Sequence, residues 1–147
     1  MTPRGMTQLI NDEGEKLHAY QDSEGYWTIG IGHLIDRRKG GGISQHISRL
    51  IFEEDVNEAM IDLQALPWFC ALDPVRQDVI IMLRFNMGLG DSEKGTGLLG
   101  FRRMIAALER EDWMAAAWEL SNSQWKSQVG KDRHDALTYA LEKGQWK

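Results

Sequence analysis

Met6, Leu9 and Ile10 fall at i, i+3 and i+4, the spacing of one face of a helix. The next position of that stripe is Glu13, and Gly14 follows it. Thr2 offers a hydroxyl cap, Pro3 suits the first helical position, and Gly14 is a left-handed stop, so a helix is predicted over about residues 3–13. From Tyr26 to Leu34 the period changes to two. Tyr26, Thr28, Gly30 and Gly32 share one face, and Trp27, Ile29, Ile31 and His33 the other. This predicts one strand after the Ser23-Glu24-Gly25 turn, with antiparallel partners in residues 17–21 and somewhere in 35–43.

The helical period then returns. Ser44 caps a segment running to about Leu66, with Ile47, Leu50, Ile51, Met60 and Leu63 at apolar positions, and Pro67 ends it. The stretch "DPVRQDVIIMLRFNMG" has Asp73 as cap, Pro74 first, Gly88 as stop and a nearly all-apolar middle, the pattern of a buried helix. A glycine-rich loop over 88–100 follows, then helices over about 101–110, 112–121 and 132–143, the last stopped by Gly144. Trp113, Trp118 and Trp125 lie on these short helices and are expected in the core. The order of elements predicts an α+β, mostly helical domain with a segregated sheet. The expected organisation is a small lobe over 14–43, a connecting helix over 44–66, and a helical lobe over 67–147 that also takes in the helix of residues 1–13.

Composition narrows the classes. At 147 residues, 42% hydrophobic and 27% charged, the chain is an ordinary globular domain. A net charge of −5 argues against nucleic acid as partner. Cys70 is alone, so no internal disulfide is expected, and His18, His33, His46 and His134 show no metal-ligand spacing. No metal and no cofactor are predicted. No run reaches the roughly 18–20 apolar residues of a membrane span, and the first residues lack the apolar stretch of a secretory signal.

The candidate chemistry lies in residues 13–28. A carboxylate on an apolar stripe loses hydration, which pushes its pKa up and lets it hold a proton to give to a leaving oxygen. Asp22 precedes a polar turn and is expected to stay ionised. Two carboxyls held in opposite protonation states are what glycosidic cleavage uses. Thr28 shares its strand face with Gly30 and Gly32; its hydroxyl could hold a water, and the bare glycines leave room for a polysaccharide. By pattern alone the plainer readings stay open: Glu13 as a solvated acid, with Lys16 a possible partner, and Asp22 as ordinary turn chemistry.

The stretch "DEGEKLHAYQDSEGYWTIGIGHLI" resembles the N-terminal signature of the phage-type lysozymes, glycoside hydrolase family 24. Glu13, Gly14, Tyr20, Asp22, Gly25, Thr28, Ile29, Gly30, Gly32 and His33 all match it. "DPVRQDVIIMLRFNMG" is similar to that family's buried central helix, "GLLGF" to the approach to the next one, and Trp113, Trp125 and "DRHDAL" to later landmarks. The resemblance implies a lysozyme-like fold and a muramidase that cleaves the β-1,4 bond between N-acetylmuramic acid and N-acetylglucosamine. It implies Glu13 as proton donor, Asp22 as second carboxylate and Thr28 as the residue placing water, with a single-displacement course. Gly32, His33, Leu34, Phe85, Asn86 and Arg133 become substrate-cleft residues: Leu34 and Phe85 against sugar, Asn86 bonding across the cleft, and Arg133 paired with Glu13. His33 is expected to fix its loop by hydrogen bonding. The implied partner is bacterial peptidoglycan, met by a monomer that does not insert in membranes, waits in the host cytoplasm and depends on a holin-like permeabiliser to cause host lysis.

Three features depart from the family pattern. The region after His33 is short. Met104 and Glu119 stand where relatives place polar sugar contacts. The net charge is acidic where an anionic wall favours basic enzymes, which makes Arg37, Arg38 and Lys39 the expected source of a local cationic cleft. Two rivals remain: a lytic transglycosylase, which has one catalytic acid and forms an anhydro sugar, and an inactive wall-binding module. Asp22 and Thr28 argue against the first, and the intact acid pair against the second.

Overall fold

The computed structural model describes residues 1–147. It holds eight α-helices and one three-stranded antiparallel sheet of order β1-β2-β3, the α+β, mostly helical class predicted. The chain divides into two compact units, Met1–Ile51 and Phe52–Lys147.

In the first unit α1 spans Pro3–Glu13. Thr2 Oγ1 accepts the Gly5 N–H at 3.2 Å, and Gly14, at φ 70°, returns its N–H to Ile10 O at 2.8 Å. Both ends are thus made by the residues the pattern marked. The strands are β1 (Lys16–Gln21), β2 (Trp27–Gly30) and β3 (His33–Leu34). The single strand expected over 26–34 is therefore a hairpin, and the third strand comes from within that run, not from 35–43. Gly30 and Gly32 both sit at φ 64°, which turns the chain between Ile29 and His33, a paired couple. Residues Arg37–Lys39 form a 3-10 turn capped by Asp36 and closed by Gly40 in the left-handed region. Thr28 and Asp36 are the buried residues of this unit, and its apolar side chains are at best half-buried.

Helix α2 (Gln45–Gln64) begins under the Ser44 cap, whose Oγ accepts the Ile47 N–H at 3.2 Å. In the second unit follow α3 (Pro67–Cys70), α4 (Pro74–Met87), α5 (Arg102–Glu109), α6 (Trp113–Ser121), α7 (Trp125–Gln128) and α8 (Lys131–Lys143). Pro67 both closes off α2 and opens α3, and α7 is an element the periodicity did not predict, because four residues are too short to show a period. The core is built from Val79, Ile80 and Leu83 of α4, Met104 of α5, Leu120 of α6, Trp125, and Leu137 and Leu141 of α8. Helix α8 packs on α6 and α4, and α5 packs on α6.

Two details differ from the expected core. Trp118 is 60% exposed, whereas Trp125 is 2% exposed. On α6 the buried face is Ala116, Ala117 and Leu120, and Trp118 points away from it. Arg76 interrupts the apolar face of α4 yet is buried. Its Nε donates to Leu141 O at 2.8 Å, its Nη2 to Glu142 O at 2.7 Å, and its Nη1 pairs with Asp73 at 2.5 Å. The guanidinium also lies 4.0 Å from the Trp113 ring. The last carbonyls of α8 are thus capped by a side chain of α4.

Candidate active site

Glu13 is the last residue of α1 and its side chain is exposed, as are Met6, Leu9 and Ile10. The expected desolvation of this carboxylate is not met: the stripe exists, but α1 buries none of its residues. What fixes Glu13 instead is proximity to the β2–β3 turn. A Cβ built on Gly32 would stand 2.9 Å from Glu13 Oε2 and 3.4 Å from its carboxyl carbon. Only hydrogen at that position lets the carboxylate lie against the turn.

Asp22 begins the loop between β1 and β2. Its Oδ1 accepts the N–H groups of Glu24 and Tyr26, each at 2.9 Å, while its own N–H donates to Tyr26 O at 3.0 Å. One carboxylate oxygen is therefore spent on the turn, and Oδ2 has no hydrogen bond within the protein. Thr28, 4% exposed at the centre of the sheet, lies opposite Tyr20 on β1 and Leu34 on β3. Its hydroxyl donates to Tyr26 O at 3.3 Å. With its proton so directed, Oγ1 is left as an acceptor.

The segment 36–39 clamps this loop. Asp36 Oδ2 accepts the Trp27 N–H at 3.1 Å, and Arg38 pairs with Asp36 at 2.6 Å. Arg38 Nη2 reaches on to Gly25 O at 2.8 Å, and Lys39 pairs with Glu24 at 2.7 Å. The Arg38 bonds, then the Trp27 N–H, hold the Asp36 carboxyl far below the usual carboxylate range. Of the three residues expected to make a cationic cleft, Arg38 and Lys39 are thus ion-paired within the unit, each beside the Tyr26 ring, while Arg37 is in no ion pair. Sequence reasoning missed Asp36 as a hub, although an Asp four residues before a glycine stop is a legible capping signal.

His33 Nε2 bonds Gly42 O at 2.7 Å, so it does fix the loop after β3. Leu34 is half-buried on β3, and its carbonyl accepts the Gly42 N–H at 3.1 Å. The remaining candidates belong to the second unit. Phe85, exposed on α4, meets Phe52 with ring centroids 5.8 Å apart. Asn86 does not have its whole amide free: its Oδ1 accepts the Trp125 indole N–H at 2.8 Å, leaving the NH2 group as donor. Arg133 is exposed on the first turn of α8. The second unit also carries a groove of about 760 Å³ whose lining includes Phe101, Met104, Glu119, Trp125 and Gln128. Met104 is buried there, and Glu119 is half-buried.

A family model described as phage lysozyme matches residues 11–140. The chain is 31% identical to "Probable T4-type lysozyme 1" of Dictyostelium discoideum, over 92% of this chain and 92% of that protein. It is 34% identical to the "Endolysin" of Salmonella phage P22, over 60% of this chain and 63% of that protein. It is also 28% identical to the "Pre-baseplate central spike protein Gp5" of Enterobacteria phage T4, over 92% of this chain but 27% of that protein.

Proposed function

The chain belongs to the phage lysozyme family and is a lysozyme-type hydrolase of peptidoglycan, and on that premise we propose that it cleaves the β-1,4 bond between N-acetylmuramic acid and N-acetylglucosamine. Glu13 gives its proton to the bridging oxygen as the C1–O bond breaks. A water adds at C1, and its proton passes to Asp22 Oδ2. Thr28 Oγ1, directed to Tyr26 O and so an acceptor, takes a hydrogen bond from that water and orients its lone pair. The observation that carries this reading is that one unit holds both a half-free carboxylate, Asp22, and a glutamate seated against a glycine turn, Glu13. Leu34 and Phe85 contact the glycan, and Asn86 donates to it through its NH2 group. Arg133 is proposed as a further glycan-binding residue, and the lobe organisation set out above remains the proposed one. No helix is long and apolar enough to cross a membrane. The proposed setting is a monomer that stays in the host cytoplasm until a permeabilising partner admits it to the wall, where it causes lysis.

The test is clearance of a turbid suspension of permeabilised Gram-negative cells, with masses of the released fragments. Glu13→Gln is expected to slow clearance by roughly a hundredfold or more, the usual weight of a general acid, and Asp22→Asn to act in the same direction. Products should carry a reducing-end sugar. Anhydro sugars would place the chain with the transglycosylases, and a Glu13→Gln variant clearing at the wild-type rate would remove the proton donor.

A further inference from the structure

His134 is a buried titratable side chain that the proposed chemistry does not use. It lies in the first turns of α8, 4% exposed, on a helix otherwise buried through Leu137, Ala140 and Leu141. Its Nδ1 is 3.0 Å from Asp135 Oδ1, and Lys131 pairs with the other oxygen of that carboxylate at 3.1 Å. Its Nε2 is buried without a hydrogen-bond partner, and so is Thr138 Oγ1, one helical turn on. Residues four apart on a helix share a face. Neither atom bonds the other directly, so an acceptor and a hydroxyl on one face, both shut off from bulk solvent, need a third group such as one water to satisfy them. The carboxylate of Asp135 sets which nitrogen carries the proton: Nδ1–H donates to it, and Nε2 keeps its lone pair as an acceptor that one water can bridge to the Thr138 hydroxyl.

The imidazole also lies behind Trp125, with ring centroids 6.1 Å apart and planes at 38°. Trp125 is buried among the core residues and its indole N–H holds Asn86 Oδ1 at 2.8 Å. That bond decides the orientation of the Asn86 amide, which thereby presents donors and not its carbonyl. We propose that His134 is a positioning residue: anchored by Asp135, and by Thr138 across one water, it sets the Trp125 indole and through it the donor orientation of Asn86. The step from Asn86 to glycan rests on the function proposed above; the steps from His134 to Asn86 do not.

Two measurements on the folded protein separate these. Nitrogen-15 spectra of the imidazole should report the Nδ1–H tautomer, and Thr138→Val should move the Nε2 resonance. His134→Leu should shift the Trp125 indole N–H resonance toward that of an unbonded indole and raise KM for soluble peptidoglycan oligomers roughly three- to tenfold, the weight of one hydrogen bond, with kcat within about twofold. His134→Gln, which keeps a polar terminus of similar reach, should recover most of that KM. The Nε2–H tautomer, or a Trp125 resonance and KM unmoved in His134→Leu, would overturn the proposal. If the wild type proves inactive on peptidoglycan, the function fails, and the two spectroscopic results still decide the positioning role.

Discussion

Gly32→Ala separates the two demands on that residue. Gly32 sits at φ 64°, where a non-glycine residue costs about 1–2 kcal/mol, and its missing Cβ leaves 2.9 Å to Glu13 Oε2, closer than carbon and oxygen can approach. Gly30 is the internal control. It has the same φ of 64°, but a Cβ there meets nothing within 4 Å. Both variants should therefore lose about 1–2 kcal/mol of stability, a fall of roughly 3–6 °C in Tm for a chain of this size. Only Gly32→Ala must also push the Glu13 carboxylate aside. Restoring an ordinary contact of about 3.4 Å moves the carboxylate by about 0.5 Å, and at the proposed proton donor that shift should lower clearance by Gly32→Ala roughly tenfold below that by Gly30→Ala. Thermal melts by circular dichroism and clearance rates at matched folded fraction make the comparison. Equal activities for the two variants, within about threefold, would show that Glu13 does not need the space at Gly32.

Asp36→Asn should lower the stability of the first unit at neutral pH. A carboxyl whose folded pKa is depressed contributes above its unfolded pKa, near 4, and loses that contribution as pH falls through the folded value. The gap between wild type and variant in thermal melts should thus narrow between about pH 5 and pH 2, and a constant gap would remove Asp36 as the source. Arg76→Met should cost about 3 kcal/mol or more in denaturant melts, because it leaves Asp73 and the carbonyls of Leu141 and Glu142 without their partner. Arg76→Lys, which retains the charge but not the fork, should cost about 1–2 kcal/mol; a loss under about 1 kcal/mol for Arg76→Met would refute the capping argument. Trp118→Gln should change stability by no more than about 0.5 kcal/mol, whereas Trp125→Ala should cost about 3–5 kcal/mol, and comparable losses would contradict their opposite exposures.

What the sequence reveals follows the range of the forces involved. The ends of α1 and α4 were legible because Thr2, Gly14, Asp73 and Gly88 act on backbone within four residues of themselves. The β2–β3 hairpin was not, since Gly30 and Gly32 fit a period of two as readily as they fit a turn, and only their positive φ distinguishes the cases. Trp118 was misjudged because α6 is apolar nearly all round, so composition does not say which side faces the core. Arg38 and Lys39 looked like free charge, and their partners Asp36, Glu24 and Gly25 O are brought to them by the folded hairpin. At the candidate site, Glu13, Asp22 and Thr28 were named from the resemblance. The contact of Glu13 with Gly32 and the half-committed state of Asp22 and Asn86 required coordinates.

The two units are stabilised by different physics, and this bears on where the chemistry sits. The second unit has a continuous apolar core. The first buries only Thr28 and Asp36, and so holds its shape through backbone pairing, positive-φ glycines and the Asp36–Arg38 and Lys39–Glu24 ion pairs. A segment of about 50 residues is below the size at which a core alone supplies stability, so such polar contacts carry a larger share of it. The same contacts orient the candidate site residues: Arg38 and Lys39 hold the loop that Asp22 opens, and Asp36 holds the backbone N–H next to Thr28. A substitution that loosens the Asp36 hub therefore acts on stability and on the placement of Asp22 and Thr28 together, whereas one in the second unit's core reaches stability alone unless it passes through Trp125 and Asn86.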